Sequence, residues 1–144
     1  MTDSAFKIRA ACDDDIAAIK QLIEPYVQQR KLLARTDPEL HTLIENGFAA
    51  TIDDQVIGFA AVEIYSRKMA EIQCLTVSPT AQGMGIGKQL IIKCVDRAKE
   101  KNIVEVLAIT ASEAIFMDCG FDFSLPDQKK ALFFQTGNRN KLDQ

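Results

Sequence analysis

LTVSPTAQGMGIGKQLIIKCVDRAKEKNIVEVLAI, residues 75–109, is the stretch of sequence that decides the fold. It begins as a β-rich run that stops at Ser78-Pro79, because proline cannot donate a hydrogen bond to a sheet ladder. A helix over residues 85–101 is predicted by apolar residues at helical spacing, namely Ile86, Leu90, Ile91, Cys94, Val95 and Ala98. Residues 104–109 then read as a buried strand. A strand, a helix and a second strand in this order predict an α/β sheet.

Between the first strand and the helix lies Gln82-Gly83-Met84-Gly85-Ile86-Gly87-Lys88, the glycine loop (residues 82–88). Its alternating glycines let the backbone approach a ligand, and the unpaired N–H groups of the helix start favour an anion. A dinucleotide fingerprint starting at Gly83 would need glycine at Lys88. A nucleoside-triphosphate loop would need glycine at Gln82 and serine or threonine at Gln89. Neither fits, so a different phosphate ligand is expected.

The rest of the chain predicts a single domain over residues 6–136, followed by a C-terminal tail over residues 137–144. Further β-rich runs lie at residues 6–10, 48–52, 56–65, 70–77, 121–124 and 131–135. Asp13 precedes one helical stretch that Pro25 ends or bends, Asp37 caps a second over residues 38–45, and a short third helix over residues 112–119 ends at Gly120. The expected fold is α/β, with a mixed, mostly antiparallel sheet of six to seven strands flanked by about four helices.

Composition and charge exclude several classes of protein. The formal net charge of −3 argues against a nucleic-acid binder, which needs clustered lysine and arginine. The start lacks the pattern of a signal peptide and no apolar run reaches membrane length, so no membrane partner and a cytoplasmic location are expected. Four widely spaced cysteines and a single histidine argue against disulfides, a metal site and a histidine triad. Cys74 and Cys94 are predicted to be core residues.

Gln82, Gly85 and Gly87 fit the pattern Q/R-x-x-G-x-G/A, and from about residue 6 to residue 135 the chain resembles the GNAT (general-control-related N-acetyltransferase) superfamily. The run AEIQCLTVSP at residues 70–79 and FMDCGF at residues 116–121 carry the resemblance further. It implies acetyl-CoA as cosubstrate, with the pyrophosphate on loop amides and the pantetheine arm on main-chain groups of the preceding strand. The coenzyme-binding residues expected from it are Leu75, Thr76, Val77, Gln82, Gly83, Met84, Gly85, Ile86, Gly87 and Lys88.

Acetyl transfer to an amine needs a base, and Glu71 is the candidate catalytic residue. Strand alternation places Glu71 on one face with Gln73, Leu75 and Val77, where a carboxylate needs a polar cleft or a strand end. The alternative is a strand-end glutamate that faces solvent or pairs with Arg67 or Lys68. Many GNAT enzymes have a tyrosine acid where this chain has Phe116. Tyr65 is interpreted as a half-buried packing residue.

Within the superfamily, the segment LLART at residues 32–36 is similar to the acetyltransferase domain of N-acetylglutamate synthases. That resemblance implies Arg35 and Ser112 as substrate-binding residues, with Arg35 holding a carboxylate. Ala111 stands where those synthases have a basic residue, so weak glutamate acetylation is expected unless Lys31, Arg67 or Arg139 substitutes. The expected acceptor is a small amine, with amino acids among the candidates. A coenzyme A sensing module without catalysis, a peptide N-acetyltransferase and a homodimer stay open.

Overall fold

The computed structural model of the chain describes residues 5–137 and places them in one twisted sheet with helices on both faces. Five strands follow in chain order and lie side by side in the same order: β1 (Lys7–Ala10), β2 (Gly47–Ile52), β3 (Gln55–Ile64), β4 (Met69–Val77) and β5 (Glu105–Ala108). The first four strands pair antiparallel, and β5 pairs parallel to β4. The helices are α1 (Ile16–Gln28), α2 (Asp37–Ile44), α3 (Ile86–Glu100) and α4 (Glu113–Asp118).

Two hydrophobic cores lie on opposite faces of the sheet. On one face, buried residues of α3 and Phe116 of α4 pack against Ala60 and Val62 of β3 and Ala70 and Ile72 of β4. On the other face, α1 and α2 pack against Phe59, Ala61 and Cys74. Strand β3 is buried on both sides because its alternate residues serve the two cores. None of the helices in residues 5–137 is long and apolar enough to cross a membrane.

The prediction of six to seven strands is wrong, because residues 121–124 and 131–135 form no strand in the described part of the chain. The N–H of Phe121 instead bonds to the carbonyl of Phe116, and the two rings pack edge to face at 5.3 Å. The segment after α4 therefore closes that helix rather than pairing with the sheet. Leu132 and Phe134, which gave residues 131–135 their β-rich pattern, are 91 % and 90 % exposed. A local apolar pattern cannot form a strand without a partner strand.

The remaining elements lie close to their predicted positions, with two corrections. Thr36 rather than Asp37 caps α2: its hydroxyl accepts the Glu39 N–H, while the Glu39 carboxylate accepts the Thr36 N–H. Pro25 does not end α1, which continues to Gln28. Gly120, with φ of +96°, adopts the left-handed conformation predicted for it at the end of α4.

Strand β4 carries a bulge that changes which face its residues occupy. Gln73 pairs with Ala61 and Thr76 with Phe59, so Cys74 and Leu75 together lie opposite Ala60. Cys74 adopts a φ of +62° there. Before the bulge the even-numbered residues of β4 face α3, but beyond it Leu75 and Val77 face α3 and Cys74 faces α1. The predicted common face of Glu71, Leu75 and Val77 is therefore wrong.

An ion pair fixes the entry into α1. Asp15 is buried, and its two carboxylate oxygens each accept a bond of 2.8 Å from the guanidinium of Arg9 on β1. The backbone N–H of Cys12 also donates to this carboxylate at 2.9 Å. The bond from Arg9 lowers the pKa of Asp15 from 3.8 to about 2, against the opposing effect of burial.

Replacing Asp15 by asparagine should lower the free energy of unfolding by about 2 kcal/mol at pH 7, since a depressed carboxyl pKa stabilises the folded state above its unfolded value. The loss should be full above about pH 4 and should shrink as the pH falls toward the folded pKa of about 2. Urea unfolding at several pH values measures it. Lys20→Gln, which breaks the exposed pair with Asp37, is the control and should change stability far less. A pH-independent difference for Asp15→Asn would show that the ion pair is not its cause.

Candidate active site

The glycine loop leads into an open helix start. Helix α3 begins at Ile86, and Gly85 before it has a φ of +82°. No side chain caps this helix among the described residues, and the first bond within it runs from the Gln89 N–H to the Gly85 carbonyl. A Cβ atom placed on Gly83 or Gly85 would have no described atom within 4 Å. The N–H groups of the first turn are therefore accessible, as an anion site at a helix start requires.

The other residues of the glycine loop differ in burial and in the groups that they contact. Ile86 is buried in the α3 core, and a Cβ on Gly87 would lie 2.8 Å from Cδ1 of Ile115 on α4, so α4 packs closely against this turn. Met84 packs half-buried against the same core. The Lys88 ammonium lies 3.5 Å from a carboxylate oxygen of Asp118. At Ile86 and Gly87 only the main chain can meet a ligand.

The end of β4 is held by side chains from two other segments. The hydroxyl of Tyr26, in the last turn of α1, donates to the carbonyl of Val77 at 2.7 Å. The Gln82 amide nitrogen donates to the same carbonyl at 3.0 Å and to the Tyr26 oxygen at 3.1 Å. Thr76 is buried and its hydroxyl donates to the Cys74 carbonyl, so its side chain faces away from the α3 side.

Strands β4 and β5 separate halfway along β4, and a cleft opens where they part. Their pairing covers only Met69 to Ile72 of β4. The cleft, about 720 Å³ in volume, is lined by residues 30–35, Tyr65, residues 71–74, residues 109–111, Val27 and Phe133. We call it the β4–β5 cleft. Because it opens at the end of the β4–β5 ladder, it follows directly from the sheet topology.

Glu71 lines this cleft in a network of hydrogen bonds. One of its carboxylate oxygens accepts from the Tyr65 hydroxyl at 2.5 Å and from the Gln73 amide at 3.2 Å. The Gln73 amide also donates to Glu63, which pairs with Glu71 across β3 and β4. In the described part of the chain Glu71 forms no ion pair, so the alternative of a pairing with Arg67 or Lys68 is not what the structure has.

Tyr65 is not the packing residue that the sequence indicated. It is 52 % exposed and its ring lines the β4–β5 cleft. Partial burial of the hydroxyl, together with its bond to the Glu71 carboxylate, raises the pKa of Tyr65. The phenol therefore stays protonated at neutral pH and acts as a donor to Glu71.

Arg35 is a wall residue of the cleft rather than a solvent-facing loop arginine. Its Nη2 donates to the Gln73 side-chain oxygen at 2.7 Å, which links it through Gln73 to Glu71. Its Nε is buried and has no hydrogen-bond partner among residues 5–137. An unsatisfied buried donor costs free energy, so this arginine is held in the wall at some cost.

The other proposed substrate residues are only partly brought together. Ala111 lines the cleft, whereas Ser112 is outside the lining, directly before α4, and its N–H donates to the Thr110 hydroxyl. Of the cations considered as substitutes, Lys31 lines the cleft and Arg67 does not. Arg139 lies outside the described residues.

Sequence reasoning missed Tyr26 and Arg30 and did not foresee the bonding of Gln73. Arg30 lines the β4–β5 cleft beside Lys31. The position of Tyr26 near the end of an amphipathic helix was a sequence signal for its role, because a tyrosine there needs a hydrogen-bond partner for its hydroxyl. Phe116, by contrast, is buried against Phe121 and lies outside the cleft lining, which keeps it away from Glu71.

Comparison with known proteins matches this architecture to one family. The model of the acetyltransferase (GNAT) family matches residues 10–121. An amino-acid acetyltransferase of Vibrio vulnificus is 32 % identical over 137 residues, which cover 90 % of this chain and 31 % of that protein. The chain therefore spans about a third of the length of the amino-acid acetyltransferases that it matches.

Solved structures agree with the sequence comparison. N-acetylglutamate synthase from Neisseria gonorrhoeae, complexed with coenzyme A and N-acetyl-glutamate, is 30 % identical with a TM-score of 0.72 over 81 % of this chain and 28 % of that chain. Rv2747 from Mycobacterium tuberculosis, in complex with CoA and NLQ, is 26 % identical with a TM-score of 0.76 over 81 % of this chain and 72 % of that one. The predicted family is confirmed: the chain belongs to the acetyltransferase (GNAT) family.

Proposed function

We propose that the chain transfers the acetyl group of acetyl-CoA to the amine of a small molecule that carries a carboxylate. The observation that carries this proposal is the β4–β5 cleft, in which the Glu71 carboxylate and the Arg35 guanidinium are held by one glutamine, Gln73. A base and a carboxylate binder so arranged suit an acceptor that has an amine and a carboxylate.

Acetyl-CoA is assigned to the glycine loop and to the end of β4. The family membership and the coenzyme A bound to the two solved neighbours support this assignment. The open left-handed glycines at Gly83 and Gly85 would let the pyrophosphate reach the N–H groups of the first turn of α3. Lys88 would add a cation if it left Asp118. The arm would then run along β4 beyond Ile72, where β5 no longer pairs.

The chemistry is attack of an unprotonated amine on the thioester carbonyl. Glu71 takes the proton of the amine as the carbon–nitrogen bond forms, and the tetrahedral intermediate then expels the coenzyme A thiolate. Tyr65 keeps the Glu71 oxygen fixed by its hydrogen bond. Phe116 supplies no proton, so the thiolate leaves without help from that position or is protonated by water.

The charges of the β4–β5 cleft support the proposed class of acceptor. Arg30, Lys31 and Arg35 line it, against the single acidic side chain of Glu71. Lys31 and Arg30 thus supply the positive charge that Ala111 does not. A carboxylate-bearing acceptor, with an amino acid as the simplest member of that class, fits this balance. Because Arg30 and Lys31 are exposed, they replace a fixed cation poorly, and we expect weak acetylation of glutamate.

Coenzyme binding is tested by Gly85→Val. A β-branched residue resists the φ of +82° at Gly85 and covers the first-turn N–H groups, so acetyl-CoA affinity should fall at least tenfold in calorimetry. Gly120→Val is the matched control, since Gly120 has a φ of +96° with equally open space but lies at the end of α4. It should lose stability and keep its affinity. Unchanged acetyl-CoA affinity in folded Gly85→Val would refute the assignment of the loop.

The base is tested by Glu71→Gln, which keeps the shape and the bond from Tyr65 but cannot accept a proton. Turnover should fall about 10²-fold or more, with acetyl-CoA affinity nearly unchanged. Glu63→Gln changes the carboxylate directly opposite, which lies outside the cleft lining, and should lower turnover less than about tenfold. If Glu63→Gln were the more damaging of the two, Glu63 would replace Glu71 as the base.

The acceptor class is tested by thiol release from acetyl-CoA with a panel of amino acids, polyamines and peptides. Carboxylate-bearing amines should be used best, and Arg35→Ala should raise their KM about ten- to a hundredfold, since a charge-assisted hydrogen bond is lost. Arg67→Ala removes the same charge outside the cleft lining and should leave KM unchanged. Preference for peptides would favour a peptide N-acetyltransferase, and no turnover with any amine would indicate a binding module without catalysis.

A further inference from the structure

Tyr26 lies in the last turn of α1 and contacts the coenzyme side of the molecule, although α1 packs on the opposite face of the sheet. Its half-buried side chain reaches the end of β4, where the hydroxyl donates to the Val77 carbonyl at 2.7 Å. Gln82, the first residue of the glycine loop, donates to the same carbonyl at 3.0 Å and to the Tyr26 oxygen at 3.1 Å. Tyr26, 51 residues before Val77, therefore meets the end of β4 and the glycine loop at one carbonyl.

The direction of the Val77 carbonyl follows from the N–H group of the same peptide, which belongs to Ser78. The Ser78 N–H donates to the carbonyl of Ile57, in β3, at 2.8 Å. In a trans peptide the N–H and the C=O point in opposite directions, so the Val77 carbonyl points away from β3. Strand β5 has ended its pairing on that side at Ile72. This is the side on which the proposed function lays the pantetheine arm of coenzyme A.

A carbonyl oxygen has two lone pairs, and here both are used. Tyr26 and Gln82 each donate to it at hydrogen-bond distance. An amide N–H of the pantetheine arm can bond to the Val77 carbonyl only if one of the two donors gives up its bond. The Tyr26 hydroxyl is the easier donor to displace, because it can turn about its own C–O bond while the ring stays in place.

The main chain of Tyr26 is fixed independently of its hydroxyl. Its carbonyl accepts the Lys31 N–H at 2.9 Å and the Leu32 N–H at 3.3 Å, which ties it to the loop that lines the β4–β5 cleft. The side-chain bond can therefore break without loss of the loop. A bond that exists in the free protein and is lost on binding lowers the affinity of the ligand that displaces it.

We propose that the Tyr26 hydroxyl competes with the pantetheine arm for the Val77 carbonyl, which makes Tyr26 a positioning residue that limits coenzyme A affinity. The proposal rests on the proposed function, because it takes coenzyme A to lie along β4. If Tyr26 were only structural, removing its hydroxyl would weaken coenzyme binding or leave it unchanged. The proposal instead expects that removing the hydroxyl tightens coenzyme binding.

The experiment is calorimetry of Tyr26→Phe with two ligands, coenzyme A and adenosine 3′-phosphate 5′-diphosphate. The second ligand keeps the nucleotide and pyrophosphate but lacks the pantetheine arm. Coenzyme A should bind about two- to tenfold more tightly to Tyr26→Phe, the range of one net hydrogen bond, and the nucleotide should bind as it does to the unchanged protein. Thr42→Val, which removes an exposed hydroxyl on α2 that donates to the Pro38 carbonyl, should leave coenzyme A affinity unchanged.

Unchanged or weaker coenzyme A binding by folded Tyr26→Phe would overturn the proposal, and so would equal tightening of both ligands. Failure of the unchanged protein to bind coenzyme A would instead overturn the proposed function. A second measurement needs no variant at Tyr26: the chain has two tyrosines, so ring-labelled tyrosine gives two NMR signals, which Tyr65→Phe assigns. Saturating coenzyme A should shift the Tyr26 signal and the nucleotide should not. A Tyr26 signal unmoved by coenzyme A would also refute competition.

Discussion

The loss of pairing between β4 and β5 after Ile72 is the constraint on which the rest of the site depends. A strand in the middle of a sheet has its peptide groups satisfied on both sides, and such a strand cannot take a ligand along its edge. Here the second half of β4 has a partner only in β3. That half ends at the glycine loop, and the cleft with Glu71 opens at the point of separation. One break in a ladder therefore brings a free strand edge and the β4–β5 cleft together.

The bulge at Cys74 gives the two halves of β4 different surroundings. Before it, Glu71 and Gln73 face the α1 side, where loop 30–35 brings its cations. Beyond it, Leu75 and Val77 turn their side chains toward the α3 core. A regular strand would have placed Leu75 and Val77 beside Glu71 and left the α3 core short of two apolar side chains. The strained φ of +62° at Cys74 is offset by this division of the strand into a polar and an apolar part.

How much of this could be predicted from sequence depends on how local each feature is. The strand-helix-strand unit, the glycine loop and the end of α4 at Gly120 depend on neighbouring residues, and they were predicted nearly to the residue. The closing strands were predicted wrongly because residues 131–135 have a β-rich pattern but no partner in the described chain. The face predicted for the Leu75 side chain was wrong, because a β-bulge cannot be recognised in an alternating pattern of apolar and polar residues. The role of Tyr65 was misread and Tyr26 was missed, because sequence alone does not show the partner of a hydroxyl. That partner is Glu71 for Tyr65 and Val77 for Tyr26.

An acidic chain can hold anionic ligands only if the attraction is local, and the structure separates local from net charge. The formal net charge is −3, yet the cleft wall has Arg30, Lys31 and Arg35 against Glu71. The second carboxylate nearby, Glu63, lies directly across from Glu71, a pairing that would be unfavourable on its own. The Gln73 amide donates to both carboxylates, and its oxygen accepts from Arg35, so the side chain joins the two acids to a cation. Because Gln73 is uncharged, it makes this connection without neutralising Glu71 or Arg35, as the proposed roles of base and substrate contact require.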